Sequence, residues 1–328
     1  MRLRVALVAD AITRECLSRE CEIRDLTPLN YRFVLALWKP DLVLVESAWQ
    51  GLRDRWKFRI AAYPDHPRRN NRTLAELVSR ARDRGIPCVF WSKEDGVHFE
   101  RFIDSAKLFD HVFTVDESSI PRYRAVMGAE ASVHPLMFAV QPRLHRFRAG
   151  PAKVQRACFV GSYSRHIHDR RRERQDMLLE AASSTLGLTV FDRNSGRRGA
   201  HYRYPVLPGC DVRPAVPHAE TARIYQDHLV SLNVNTVEDS PTMLSRRLLE
   251  ILACGSIAVT TPALAVERWF GEYCHVVSDR DGARELLSRL ARGPSVEDCD
   301  RAEAGARHVA EQHTWAHRLD ALRGVVGV

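Results

Sequence analysis

The stretch LVSLNVNTVEDSPTMLSRRLLEILACGSIAVT, residues 229–260, decides how the chain is read. It opens on a short apolar run, Leu229 to Asn233, and closes on another, Ile257 to Thr260. Both have the length and flanks of buried strands. The residues between read as a helix from Pro241 to Cys254 whose ends are set chemically. Ser240 is an N-cap residue, Pro241 suits the first helical position, and Gly255 suits a left-handed C-terminal cap. Strand, helix, strand in this order is a parallel βαβ unit. A helix starting beside the end of a strand aims its unpaired amides and positive dipole end there, which favours an anion such as phosphate.

The same alternation extends outward. Val5 to Ala9, Leu42 to Glu46, Cys88 to Trp91 and Val112 to Val115 read as strands in the first half. Thr73 to Arg84 is the clearest helix there, with Leu74, Leu77, Val78 and Ala81 at helical spacing and Gly85-Ile86-Pro87 stopping it. Periodicity breaks between Gln141 and Val154, where Pro142, Gly150 and Pro151 mark a linker. A second series follows: strand Ala157 to Gly161, helix Asp169 to Leu186, strand Leu188 to Asp192, a helix near Ala219 to Asp227, then the βαβ unit. Ala283 to Leu290 and Val296 to Val325 read as helical. With 328 residues, 45% of them hydrophobic, the chain can fill two cores. Two Rossmann-like α/β domains are expected, residues 1–145 and 146–328, the C-terminal helix being able to pack back on the first.

Composition narrows the function classes without choosing among them. The opening run from Met1 to Asp10 is too short for a secretory signal core and reads as a strand. No apolar stretch approaches the roughly 20 residues of a membrane span. A cytoplasmic protein is expected, with membrane contact, if any, peripheral. Eight cysteines without a CxxC pair fit reduced, buried thiols. The net charge of +8 comes from arginine and suits anionic partners; an arginine-rich solvated surface would give the same balance. No nucleic-acid motif accompanies it, so nucleic acid is not an expected partner.

Two segments carry candidate chemistry. On the helix of the opening stretch, Arg246 and Arg247 lie four and three residues from Glu250. One carboxylate and at least one guanidinium therefore share a face, either for a diphosphate and ribose hydroxyls or as an ordinary surface ion pair. After the strand Cys88 to Trp91 come Lys93, Glu94, Asp95 and His98, where a carboxylate or imidazole could take a proton as general base. The same acids would equally suit a helix cap. Gly161-Ser162-Tyr163 follows a strand with a glycine that lets backbone amides approach a phosphate. Tyr202 and Tyr204 sit in an irregular loop, able to border a nucleobase or acceptor or to pack on the domain. His166 and His168 lack a third ligand, and the acids of Asp279-Arg280-Asp281 and Asp298-Cys299-Asp300 suit turns and caps, so no metal or other cofactor is assigned.

The run DSPTMLSRRLLEILACG resembles the donor-lobe signature of the CgeB-like glycosyltransferases. The likeness continues in the same order through Trp91 to Phe99, Phe109 to Asp116, Cys158 to Tyr163, and His313-Thr314-Trp315 with Arg318. Ser92 and Gly96 depart from the Asn and Pro usual in that group. Thr242 stands where many retaining relatives carry the first glutamate of a Glu-x7-Glu pair, which leaves the stereochemical outcome open. The resemblance implies a GT-B fold, two Rossmann-like lobes facing a central cleft, and metal-independent transfer of a sugar from a nucleotide donor to an unidentified acceptor. A non-catalytic nucleotide or glycan binder of the same fold is the alternative. It further implies donor contacts from Gly161, Ser162, Tyr163, Ser240, Thr242, Met243, Arg246, Arg247 and Glu250, with Glu94, Asp95 or His98 as base. Lys93, Tyr202 and Tyr204 would lie on the acceptor or nucleobase side.

Overall fold

The computed structural model describes residues 2–328. The chain divides into two compact units. Unit 1 comprises the chain to Gln141, a short return Ser240–Met243 and the terminal Trp315–Val328; unit 2 comprises Pro142–Asp239 and Leu244–Thr314.

Unit 1 is built on six parallel strands: β1 (Arg4–Val8), β2 (Glu22–Asp25), β3 (Leu42–Glu46), β4 (Cys88–Ser92), β5 (His111–Thr114) and β6 (Val133–Pro135), in the order β2-β1-β3-β4-β5-β6. Strands β3 and β4 are buried along their whole length because helices cover both faces, which is why they read as continuous apolar runs. Helix Arg72–Arg82 puts Leu74, Leu77, Val78 and Ala81 into a core with Phe90, Phe102 and Trp56, as its spacing requires. Each of the buried leucine, valine and phenylalanine side chains contributes about 1.5–3 kcal/mol. The terminal helix, Trp315–Val326, packs here too, with the Trp315 ring 5.3 Å from that of Trp91.

Unit 2 repeats the plan with β7 (Val154–Gly161), β8 (Leu188–Asp192), β9 (Cys210–Pro214), β10 (His228–Asn233), β11 (Ile257–Thr260) and β12 (His275–Val276), in the order β12-β11-β10-β7-β8-β9, all parallel. Its core gathers Phe159, Leu178, Val190, Val230, Leu232 and Val259. In each sheet the strand order reverses beside the first strand, between β1 and β3 in unit 1 and between β7 and β10 in unit 2. Past the carboxyl ends of such a pair, helices leave to opposite faces and open a crevice, the usual ligand position in this architecture.

Two expectations are corrected. The helix expected from Pro241 begins at Arg246 and runs to Ala253. Ser240 is buried; its hydroxyl donates to Asp116 Oδ1 (2.6 Å) and accepts the amides of Thr242 (3.3 Å) and Met243 (2.9 Å), closing a turn instead of a helix. Ser245 is the residue that enters the helix, extended at φ −68° and ψ 121°, its amide donated to Asn235 Oδ1 (3.1 Å). The C-terminal end is as expected: Gly255 is left-handed at φ +69°, and Ser256 N–H reaches back to the Ile251 carbonyl. Likewise, Val296 to Val325 is two helices, Val296–Gln312 and Trp315–Val326, because Trp315 N–H turns to the Val140 carbonyl (3.0 Å). The strands that went unread, β2, β6, β9 and β12, are short or lie toward sheet edges. Among the described residues no helix is long and apolar enough to cross a membrane.

Candidate active site

The crevice of unit 2 is lined by arginine. At its centre the Arg247 Nε donates to the Val160 carbonyl at the end of β7 (2.6 Å), and Nη1 lies 3.5 Å from Asn233 Oδ1 at the end of β10. The guanidinium packs over Phe159, 4.5 Å from the ring centroid. Gly161 makes room for it: a Cβ there would stand 2.9 Å from Nη2 of Arg247 and 2.5 Å from the Phe159 ring. Arg171 comes to 3.5 Å from the Ser162 carbonyl, and Arg193 donates its amide to the Gly161 carbonyl (2.9 Å). Burial, reinforced by Arg247, pushes Arg171 down to about 10. Arg193, though it reaches solvent, is also lowered, by burial of its guanidinium and by Arg246 and Arg247. Guanidiniums that depress one another have gathered more positive charge than the protein neutralises, the electrostatic description of an anion site.

Two buried carboxylates stand here, Asp192 at the end of β8, 3.7 Å from Arg203, and Glu250, 7% exposed. His218 Nε2 lies 2.9 Å and Arg246 Nε 3.6 Å from its Oε1. Burial alone would raise the carboxyl, but His145, the His218 hydrogen bond and Arg246 outweigh it and hold the pKa at about 2. His145 is itself buried. Its Nε2 lies 2.8 Å from Thr221 Oγ1, whose proton goes to the His218 carbonyl (2.7 Å), so Nε2 of His145 must be the donor. His145, His218 and Glu250 offer ligand atoms within 4.8 Å of one another, the geometry of a metal site. His218 is hydrogen-bonded to Glu250 and His145 to Thr221, with the His145 and His218 rings 5.0 Å apart.

The other residues assigned to the donor divide. Tyr163 is buried, its hydroxyl donating to Asp176 (2.8 Å), and Ser162 lies in the crevice turn. Ser240 and Thr242 spend their hydroxyls inside unit 1, Thr242 Oγ1 donating to the Val115 carbonyl and accepting Glu117 N–H, both 2.9 Å; Met243, half-buried, completes that turn. Tyr204 is buried against Tyr163 (5.2 Å between rings), whereas Tyr202 sits among His166, His201 and Arg197. Asp279 caps the helix Arg280–Ala291 and Asp298 completes a capping box with Ser295.

The crevice of unit 1 carries the opposite charge. Lys93 Nζ lies 2.9 Å from Glu46 Oε1 and 3.3 Å from Asp10 Oδ2. Asp10 N–H donates to Glu46 Oε1 (2.5 Å), and Asp10 Oδ1 accepts Gly51 N–H (2.8 Å). Glu94 follows, half-buried, at the start of helix Asp95–Ala106 but with no side-chain capping bond. Burial pushes its carboxyl above the ordinary range; Lys93 and a bond to Trp49 oppose this, while Glu46 and Asp10 add to it. Asp95 is 2% exposed, accepting from Ser92 (2.5 Å) and Tyr123 (2.8 Å) and tying β4 to helix Ile120–Met127. His98 is half-buried edge-on to Trp49, 5.2 Å away. Sequence reasoning missed Asp10, Glu46, Arg171, Arg193, His145 and His218. Glu46 left one sign, a carboxylate ending an otherwise apolar strand.

Two doubly wound parallel sheets with these crevices are the GT-B arrangement of glycosyltransferases. An alpha-glucosyltransferase in complex with UDP and a DNA carrying a HMU base superimposes with a TM-score of 0.67, 9% identity and 100% of each chain covered. The Anabaena protein HepE in complex with UDP and glucose gives 0.59 and 10%, covering 99% of this chain and 91% of that one. Sucrose-phosphate synthase from Thermosynechococcus elongatus gives 0.57 and 12%, covering 89% and 75%. Residues 170–324 match the family model described as glycosyl transferase-like. No curated protein matches it in sequence.

Proposed function

We propose that the protein transfers a sugar from a nucleotide diphosphate donor to a hydroxyl acceptor without a metal ion, and that it stands with the CgeB-like group. The observation that carries this reading is the gathering of Arg171, Arg193 and Arg247 at the carboxyl end of β7, with Arg246 beside the carboxylate of Glu250. As the bond between sugar C1 and the diphosphate oxygen breaks, the electron pair stays on the leaving phosphate, and these guanidiniums meet that charge in place of a divalent cation. Glu250, ionised throughout the physiological range, offers its other oxygen to ribose hydroxyls. The acceptor oxygen forms the new bond to C1 and its proton passes to Glu94, whose raised pKa suits a general base. Asp95, enclosed by Ser92 and Tyr123, positions the loop. HepE and the alpha-glucosyltransferase were crystallised with UDP, which makes uridine diphosphate sugars the first donors to try.

The test is calorimetry with UDP followed by turnover of UDP-sugars in the presence of a chelator. Glu94→Gln is expected to lower kcat by about 100-fold with donor KM unchanged. Full activity in that variant would move the base elsewhere, and loss of all UDP binding and turnover in the intact protein would sink the reading.

A further inference from the structure

The segment between β2 and β3 presents an apolar face that none of the described residues covers. Tyr31, Leu35 and Trp38 point inward and are buried, as the core of unit 1 requires. Leu29, Phe33 and Leu37, each four residues from the next, are 76%, 68% and 80% exposed. Scattered exposed apolar residues need no explanation, but here a turn residue, Leu29, and two residues of the short helical segment Tyr31–Trp38, Phe33 and Leu37, stand exposed within nine positions of one another. The stripe is set in basic surface. Arg24 and Arg4 lie over the Trp38 ring at 5.5 and 4.7 Å, and Lys39 follows directly. At the other end Trp56 Nε1 donates to the Leu26 carbonyl (2.7 Å), anchoring beside it a run in which Arg53, Arg55 and Lys57 are exposed. Among the described residues Arg24, Lys39, Arg53, Arg55 and Lys57 form no ion pair. Most acids nearby are engaged, Glu76 with Arg32, Asp25 with Arg14, Asp41 with the Arg4 amide and Glu22 with the Trp38 indole, and exposed Asp54 stands between Arg53 and Arg55.

We infer that this face of unit 1 is a peripheral docking surface for an anionic lipid bilayer. An apolar stripe with a basic skirt is the pattern of a helix that lies in the interface plane, its aliphatic and aromatic groups among the acyl chains and its cations on the headgroups. A protein partner would more simply be met by an apolar face with satisfied polar groups around it. The unpaired cations are what select an anionic surface.

The experiment is co-sedimentation of the full chain, without any nucleotide sugar, with vesicles of phosphatidylcholine alone or mixed with phosphatidylglycerol. Binding to the anionic vesicles is expected, weakening as salt rises. The double variant F33E/L37E is expected to lose at least about 10-fold in partition, and Lys39→Gln or Arg55→Gln about 5-fold each. Both replaced apolar side chains are exposed, and an unchanged melting curve will show the variant folded. Sedimentation unaffected by F33E/L37E would overturn the proposal. So would a concentration-dependent dimer abolished by F33E/L37E with no vesicle binding, which would give the stripe to a second copy. Because no donor is present, a negative result here leaves the transfer reading standing, and the reverse holds equally.

Discussion

The two crevices are made by one topology and filled with opposite chemistry. In unit 1 the strand ends deliver Asp10, Glu46 and Glu94 around one lysine; in unit 2 two helices and the end of β8 bring Arg171, Arg193, Arg246 and Arg247 near Glu250. The sheet plan is common to both, so the difference lies in the side chains that line each crevice. An acid-rich crevice suits proton abstraction, and an arginine-rich one suits a leaving diphosphate. A fold of this kind fixes where chemistry happens and leaves its sign to a few residues at the strand ends.

The sharpest way to break this contrast is to discharge the basic crevice. Arg247→Ala removes the guanidinium that spans β7 and β10 and is expected to cut kcat/KM by about 100-fold, with UDP affinity falling alongside, as calorimetry would show. An equal loss in turnover with unaltered UDP binding would mean that this arginine does not hold the donor.

A second prediction uses acid. Glu250 has a folded pKa depressed to about 2, so its contribution to stability is complete above the unfolded value near 4.5 and is lost as pH falls from there toward 2. The contribution is of order 3 kcal/mol at most. Denaturant midpoints measured from pH 6 downward should therefore decline more steeply in the wild type than in Glu250→Gln. Parallel curves would remove the buried ion network from the account. The raised Glu94 has the opposite sign: its base form, and with it kcat, should appear only as pH climbs past a value higher than that of an ordinary glutamate.

The smallest expected effect separates the sequence reading from the structure. Had Ser240 capped a phosphate-binding helix, Ser240→Ala would weaken the donor. Since its hydroxyl is spent on Asp116, the substitution should cost about 1–2 kcal/mol of stability and leave UDP affinity unchanged.

Central strands were legible because burial on both faces writes them as apolar runs, as in Leu42–Glu46 and His228–Asn233. Edge strands such as Cys210–Pro214, exposed along most of their length, carry no such mark. Gly255 announced its left-handed cap, whereas Ser240 and Pro241 announced a helix start that a contact with Asp116, 124 residues away, overrides. The arginine and glutamate of helix Arg246–Ala253 were readable from spacing. Arg193, His145, His218, Asp10 and Glu46 were not, because only the fold brings them together.

Unit 1 is not one continuous piece of chain. It takes back Ser240–Met243 and the last helix, where Trp315 meets Trp91 and Arg318 grips the Met137 and Phe138 carbonyls. Neither unit can therefore be inherited, excised or exchanged as a single uninterrupted cassette. A cut after Gln141 would strip the first sheet of its closing helix, and a nascent chain cannot finish the half it makes first until Trp315–Val328 has been synthesised.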